Sequence, residues 1–196
     1  MIDMTDCRDL TSLQILLYLI LFLQCSARLS TCYSYIGIAL RSAIRMGLHR
    51  SVSNVFNPVE TELRKRIFWI IRKLDIYVGA LLGLPQMLSN DDIDQEMPLE
   101  IDDEYITTEK ILPMPPGNLS LFTALNDHTR LVEILAKTMK FIYPIKGNHH
   151  SRGKTSDSYV VSHASIREIE QDLQHWMEAL PMQFRPGEEA PPEFMR

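Results

Sequence analysis

A chain of 196 residues, 45% hydrophobic and 23% charged, is long enough for one domain with a real core and too short for two comfortable ones. Its formal net charge of -5 opposes non-specific attraction to nucleic acid, so direct DNA contact by this chain is not expected. Three cysteines (Cys7, Cys25, Cys32) form no Cys-x-x-Cys pair and no metal-ligand spacing, which suits a reducing compartment better than a disulfide scaffold.

Leu10 to Ala27 carries no charge. A membrane-spanning helix needs about 20 predominantly apolar residues, whereas the uninterrupted apolar run here is only Ile15 to Leu23, flanked by Gln14 and Gln24. A signal peptide needs a basic leader, and Asp3, Asp6 and Asp9 precede this run. The reading is a buried core helix, with no membrane role. Thr11 and Gln14 have capping-box spacing at its start. Being apolar nearly all round, the helix is expected to be buried on several sides.

Ser30 or Thr31 can cap a second helix, whose apolar positions Tyr33, Ile36, Leu40, Ala43 and Ile44 follow helical spacing up to Gly47. Gly37, Ala39 and Ala43 are small enough to admit a close neighbour, and Gly47 is a natural left-handed stop. After a loop at 51–57, Asn57-Pro58-Val59-Glu60 reads as the start of a third helix. Leu63, Ile67, Ile70, Leu74, Val78 and Leu81 share one face of it; Arg64, Phe68, Ile71 and Asp75 form a second stripe. Trp69 and Ile76 point elsewhere again, so this helix is the hub of a bundle. Trp69 and Leu74 are expected to be intolerant of substitution. Lys65, roughly opposite the main apolar face, is expected to be tolerant.

Gly83 and Pro85 end the hub helix, Ser89 to Asp94 reads as an acidic turn, and Met97 to Gly117 is a connector punctuated by Pro98, Pro113, Pro115 and Pro116. A fourth helix is expected over 120–143, with Leu121, Leu125, Leu131, Ile134, Leu135 and Met139 as core members, ended by Pro144. Lys146 to Ser158 is polar and expected to be mobile. A last amphipathic helix over 159–180 carries Ile166, Ile169, Leu173, Trp176, Met177 and Leu180. The expected fold is all-α: one multi-helix bundle over 1–196 with a central buried helix and a long proline-rich connector. Its core spans 10–98, a second helical part 118–181, and the tail 182–196 is irregular.

Few side chains invite chemistry. His49, just past a helix end, meets the last carbonyls and the negative end of the dipole more readily than it serves as a ligand. Arg64-Lys65-Arg66 has the composition of an import or phosphate-binding patch, but on a helix these side chains splay apart. Arg64 and Asp75 are too far apart to pair directly, so each is expected to meet a partner on a neighbouring segment. Asp91, Asp92, Asp94 and Glu96 lack the glycine and glutamate that a calcium loop requires at its sixth and twelfth positions. Adjacent His149 and His150, with His163 and His175, have no zinc spacing. No nucleophile elbow, Walker loop, dinucleotide fingerprint or His-Glu-x-x-His occurs, and the case for an enzyme is absent.

One ordered set stands out: Gly47-Leu48-His49, then Arg64, Arg66 and Phe68-Trp69 with Asp75, then Gly83-Leu84-Pro85, Asp92-Ile93-Asp94 and Pro98. This set resembles the middle homology region of fungal zinc-cluster transcription factors, also called the fungal-specific or xylanolytic-activator regulatory domain. The resemblance covers Leu13 to Pro98 well and continues more loosely to Leu180-Pro181. It implies a nuclear regulatory domain that gates transcription through intramolecular contacts, a small-molecule effector or a regulatory partner, within a factor able to form homodimers. In such factors a six-cysteine module binds two zinc ions and reads DNA. The three scattered cysteines here cannot do so, which implies no cofactor in this chain and either an excised part of a larger activator or a factor-like product lacking DNA binding. The motif residues are read as structural, and no ligand-binding residue follows from them. The alternative is a small helical ligand-binding protein, which the ten methionines permit.

Overall fold

The computed structural model describes residues 7–52, 55–142 and 162–186. It contains α1 (Leu10–Cys25), α2 (Leu29–Arg45), α3 (Pro58–Leu82), α4 (Leu121–Ile142) and α5 (His163–Ala179), with 3-10 turns at Asn90–Asp92, Asp103–Tyr105 and Met182–Phe184. Among the described residues there is no strand, only an isolated antiparallel bridge between Ile106 and Ile111. The chain divides into two compact units, residues 1–129 and 130–196. The fold is all-α, as expected.

Helix starts follow the strongest local acceptor. α1 is capped by Asp9, whose carboxylate accepts the Ser12 N–H at 2.8 Å, and not by the Thr11–Gln14 pair. A carboxylate both accepts this bond and complements the positive helix end, so it outcompetes a hydroxyl two residues later. α2 starts at Leu29 without any side-chain cap, and Ser30 lies inside it with its carbonyl accepting the Ser34 hydroxyl. The start is set instead by the tight end of α1, where the Arg28 N–H reaches back to the Leu23 carbonyl and Ala27 takes a left-handed φ of 57°. Asn57 caps α3 as read from sequence, accepting the Glu60 N–H at 2.9 Å.

Helix ends at Gly47 (φ 72°) and Gly83 (φ 68°) use the same geometry, with Leu48 donating to the Ala43 carbonyl and Leu84 to the Gly79 carbonyl.

In the first unit α2 lies against both α1 and α3. Its buried face is Cys32, Ile36, Gly37, Ala39, Leu40 and Ala43, where the small residues admit Leu13, Leu16 and Ile20 of α1 and Phe68 and Ile71 of α3 to one core. α1 departs from expectation: Tyr18 is 74% and Phe22 65% exposed, so the helix is covered on one side and not on several. As an outer helix it meets its neighbours over a single face. The expected α3 face holds at Ile67, Leu74 and Val78, but Leu81 is exposed because the last turn extends past the core. Lys65 is buried, contrary to the expectation of an open position, and so are Glu62 and Arg72.

The start of α4 also departs from expectation. Leu121 is exposed, and the buried side chains are Ser120, Thr123, Asn126, Asp127 and Thr129. Polar partners on the connector select this face: Ser120 donates to the Asp102 carboxylate at 2.6 Å, and Asn126 Nδ2 to the Pro98 carbonyl at 2.8 Å.

In the second unit, Lys137 of α4 pairs with Glu168 (2.7 Å) and Asp172 (2.5 Å) of α5. Ile169 and Leu180 are buried, whereas Leu173 and Met177 are exposed. A five-turn amphipathic helix packing on one neighbour leaves its flanking apolar positions open. The expected mobile segment at 146–158, with His149 and His150, and the expected helix start at Tyr159 lie outside the described residues.

Phe68→Ala is expected to destabilise the chain by about 3–5 kcal/mol, and Tyr18→Ala by no more than about 0.5 kcal/mol, read by urea denaturation. Gly47→Ala should cost about 1 kcal/mol through its left-handed φ alone, since an added Cβ there meets nothing within 4 Å. The reverse change, Ala27→Gly, should not destabilise.

Candidate functional site

α3 carries a polar stripe at helical spacing: Glu62, Lys65 and Arg66, Trp69, Arg72, Asp75. Residues 84–103, the strap that follows α3, run back along this stripe in the opposite direction. Outside its 3-10 turn at Asn90–Asp92 the strap is extended without strand partners and must satisfy its N–H and C=O groups some other way, and α3 side chains answer several of them. Asp75 accepts the Met87 N–H at 2.9 Å, and Arg72 donates to the Leu88 carbonyl at 2.6 Å. The Trp69 indole donates to the Glu96 carbonyl at 2.8 Å. Glu62 accepts the Leu99 N–H at 2.8 Å, and Arg66 donates to the Ile101 carbonyl at 3.1 Å.

Side chains of the strap close the arrangement. Arg72 also donates to Gln86 and Asn90, Lys65 pairs with Glu96 at 2.7 Å, and Arg66 bridges Glu62 to Asp103. The Arg66 guanidinium lies 3.4 Å from the centre of the Phe122 ring.

Arg72 and Asp75 are both fully buried, 4.0 Å apart at their closest. Burial pushes the Asp75 carboxyl above its ordinary value, while the Met87 N–H and the Arg72 charge pull it back down.

The loop after α2 is joined to the same strap. His49 accepts the N–H groups of Asp94 and Gln95 on its carbonyl, and Gln95 Nε2 donates to the Leu48 and Arg50 carbonyls. Asp94 accepts the Ser51 N–H at 2.9 Å and pairs with Arg50 at 3.2 Å. The Ser51 N–H, then Arg50, hold the Asp94 carboxyl below the usual carboxylate range; Lys65 does the same for Glu96.

Three pieces that the sequence presents far apart therefore form one assembly: Gly47-Leu48-His49, the hub helix, and Asp92-Ile93-Asp94. Asp92 itself is exposed and donates its N–H to the Ser89 carbonyl. Arg64 caps the Met46 carbonyl at 2.7 Å and stacks over Phe56 at 4.2 Å. The Pro85 carbonyl accepts the Tyr33 hydroxyl, and the buried Phe68 meets Trp69 edge-on, their centroids 5.6 Å apart. Arg64 and Asp75 each meet a neighbouring segment and not each other. The residues that sequence reasoning missed are Glu62, Lys65, Arg72 and Gln95. The available signal was the regular 3–4 spacing of polar residues along a helix already apolar on its other faces.

Beside these contacts a cleft of about 330 Å³ opens between the loop after α2, the first turns of α3 and the strap; its walls include Arg50, Phe56, Arg64, Lys65 and Glu96. Among the described residues no group of three or more His, Cys, Asp or Glu side chains could hold a metal ion, and no helix is long and apolar enough to cross a membrane. The geometry binds segments together.

Arg72→Met removes both the cation facing buried Asp75 and the donor to the Leu88 carbonyl, and should cost about 3–5 kcal/mol; Asp75→Asn, which keeps an acceptor for Met87, should cost clearly less in the same urea titration. Lys65→Ala should cost about 1 kcal/mol, not zero, since its partner Glu96 is 68% exposed and can return to water.

The acid response has a definite sign. The lowered Asp94 and Glu96 contribute stability above the ordinary carboxyl range and lose it as the pH falls through their lowered values. Asp75, raised, acts oppositely: protonation on acidification relieves its burial. An Asp94→Asn, Glu96→Gln double variant should therefore lose less stability than the parent when melting is compared at neutral and acid pH.

The fungal specific transcription factor domain family matches residues 3–178. The chain is similar to Activator of stress genes 1 of Saccharomyces cerevisiae, at 46% identity over 200 residues, which span 100% of this chain and 20% of that protein. It is also similar to Activator of stress genes protein 1 of Candida albicans, at 43% identity, covering 95% of this chain and 20% of that one. A third relative is Transcriptional activator protein acu-15 of Neurospora crassa, at 30% identity, covering 89% of this chain and 18% of that protein. The chain thus spans about a fifth of the length of these curated relatives. No solved structure matches it at a significant level. By the family match and these relatives, the chain belongs to the fungal specific transcription factor domain family.

Proposed function

We propose that this chain is the regulatory, middle homology domain of a fungal zinc-cluster transcription factor, acting in the nucleus without enzymatic activity of its own. It gates transcription through contacts with other parts of the factor, a small effector or a regulatory protein, and the factor can act as a homodimer. The observation that carries this reading is the family match along 3–178 of an all-α chain. Names of relatives from three fungi, each an activator, support it.

Zinc and DNA recognition are assigned outside these residues. Three cysteines cannot supply the six thiolates of a binuclear cluster, and a net charge of -5 does not favour phosphate contacts. The strap is the part best suited to gating. It is held to α3 by a row of discrete polar bonds beside the apolar contacts of Leu88 and Ile93, so it has a defined docked state that a contact elsewhere can bias.

The experiment is a reporter assay in yeast, with the chain fused between a heterologous DNA-binding domain and an activation domain. Arg72→Met is expected to change reporter output several-fold at equal protein level, while Tyr18→Ala does not. Unchanged output from Arg72→Met, in protein shown by denaturation to be loosened, would refute gating by this domain.

A further inference from the structure

We propose that the cleft beside α3 is a binding site for a small organic acid, with Lys65 holding the ligand carboxylate and Glu96 occupying that place when no ligand is bound. The inference deepens the regulatory reading by naming an effector class, and rests on it for its biological role only.

The cleft measures about 330 Å³, at the lower end of small-molecule sites, which run from roughly 300 to 1,000 Å³. Lys65 and Glu96 both line it. The Lys65 side chain is 10% exposed, while the Glu96 side chain bonded to it at 2.7 Å is 68% exposed. A buried ammonium is thus neutralised by a carboxylate on an arm that solvent already reaches. Such a half-exposed pair contributes little by itself, so a ligand carboxylate can replace that of Glu96 with the same bond and without stranding the lysine.

The remaining walls select among anions. Glu62, only 2% exposed and also lining the cleft, adds a negative charge that disfavours a dianion such as phosphate more than a single carboxylate. The Phe56 ring, covered on one side by Arg64, and the half-buried Leu99 offer an apolar surface for a compact organic body. A built-in carboxylate also gives a route to the strap. Glu96 accepts the Trp69 indole N–H on its carbonyl, and its neighbour Gln95 holds the Leu48 and Arg50 carbonyls. Displacing the Glu96 side chain therefore acts where the strap meets both α3 and the loop after α2.

The test uses the full chain carrying Trp176→Phe, which leaves Trp69 as its only indole. The probe is benzoate at constant ionic strength, with benzamide as the uncharged control, followed by the indole N–H resonance of Trp69. The expected result is a saturable shift with benzoate and none with benzamide. Glu96→Gln, which removes the competitor, should tighten the apparent affinity several-fold, and Lys65→Met should abolish the response. Absence of saturation in both the parent and Glu96→Gln overturns the proposal. So does an equal response to benzamide, a response to an acidic peptide alone, or a benzoate response that persists in Lys65→Met. Should Lys65→Met fail to fold, the Glu96→Gln comparison decides. Because the measurement involves no transcription, its failure leaves the reporter assay of the gating role intact, and the converse also holds.

Discussion

The first unit depends on one constraint: an extended strap without strand partners lies against a buried helix, and its backbone groups must be paired. A buried N–H or C=O left unpaired costs on the order of 1–3 kcal/mol, and the strap presents several. α3 answers with a row of side chains that donate where the strap shows carbonyls (Arg66, Trp69, Arg72) and accept where it shows N–H groups (Glu62, Asp75). This explains charged residues on the hub of a bundle. Apolar side chains there would cover the strap and leave its polar groups unanswered.

The same arrangement accounts for specificity of register. Arg72 and Asp75 stand three residues apart on one face and address Leu88 and Met87. A shift of the strap by one residue would take the Leu88 carbonyl from Arg72 and the Met87 N–H from Asp75. Buried ion pairs are weak sources of net stability, so defining this register is the better account of a pair held at full burial. The Gly47–Arg50 loop, fixed at the middle of the strap by Gln95 and Asp94, extends the same logic to the end of α2. Perturbing any of these groups bears on three segments together.

Two misreadings of the sequence share a cause. Lys65 looked open because it lies away from the apolar face of α3, and α1 looked enclosed because it is apolar all round. Both inferences treat a helix as facing either core or water. α3 has a third surface, covered by a polar segment from the same chain, and α1 has apolar residues such as Tyr18 and Phe22 with no cover in this unit. Hydrophobic periodicity reports where apolar side chains point. It is silent on which neighbours arrive there.

What the sequence by itself determined is local. Asn57-Pro58 starts α3, and Gly47 and Gly83 end helices, because cap bonds and left-handed backbone depend on residues within one turn. The all-α class and the hub role of α3 follow from the spacing of its apolar residues, and the family resemblance from the ordered motif set. What only the tertiary structure decided is pairing across distance: that His49 meets Gln95, that Arg64 caps Met46 while Asp75 receives Met87, and that Lys65 is buried against Glu96. Those partners lie some 12 to 46 residues apart in the chain, and each side chain alone is compatible with water. Only the fold of the strap onto α3 removes that water and makes the polar partner obligatory.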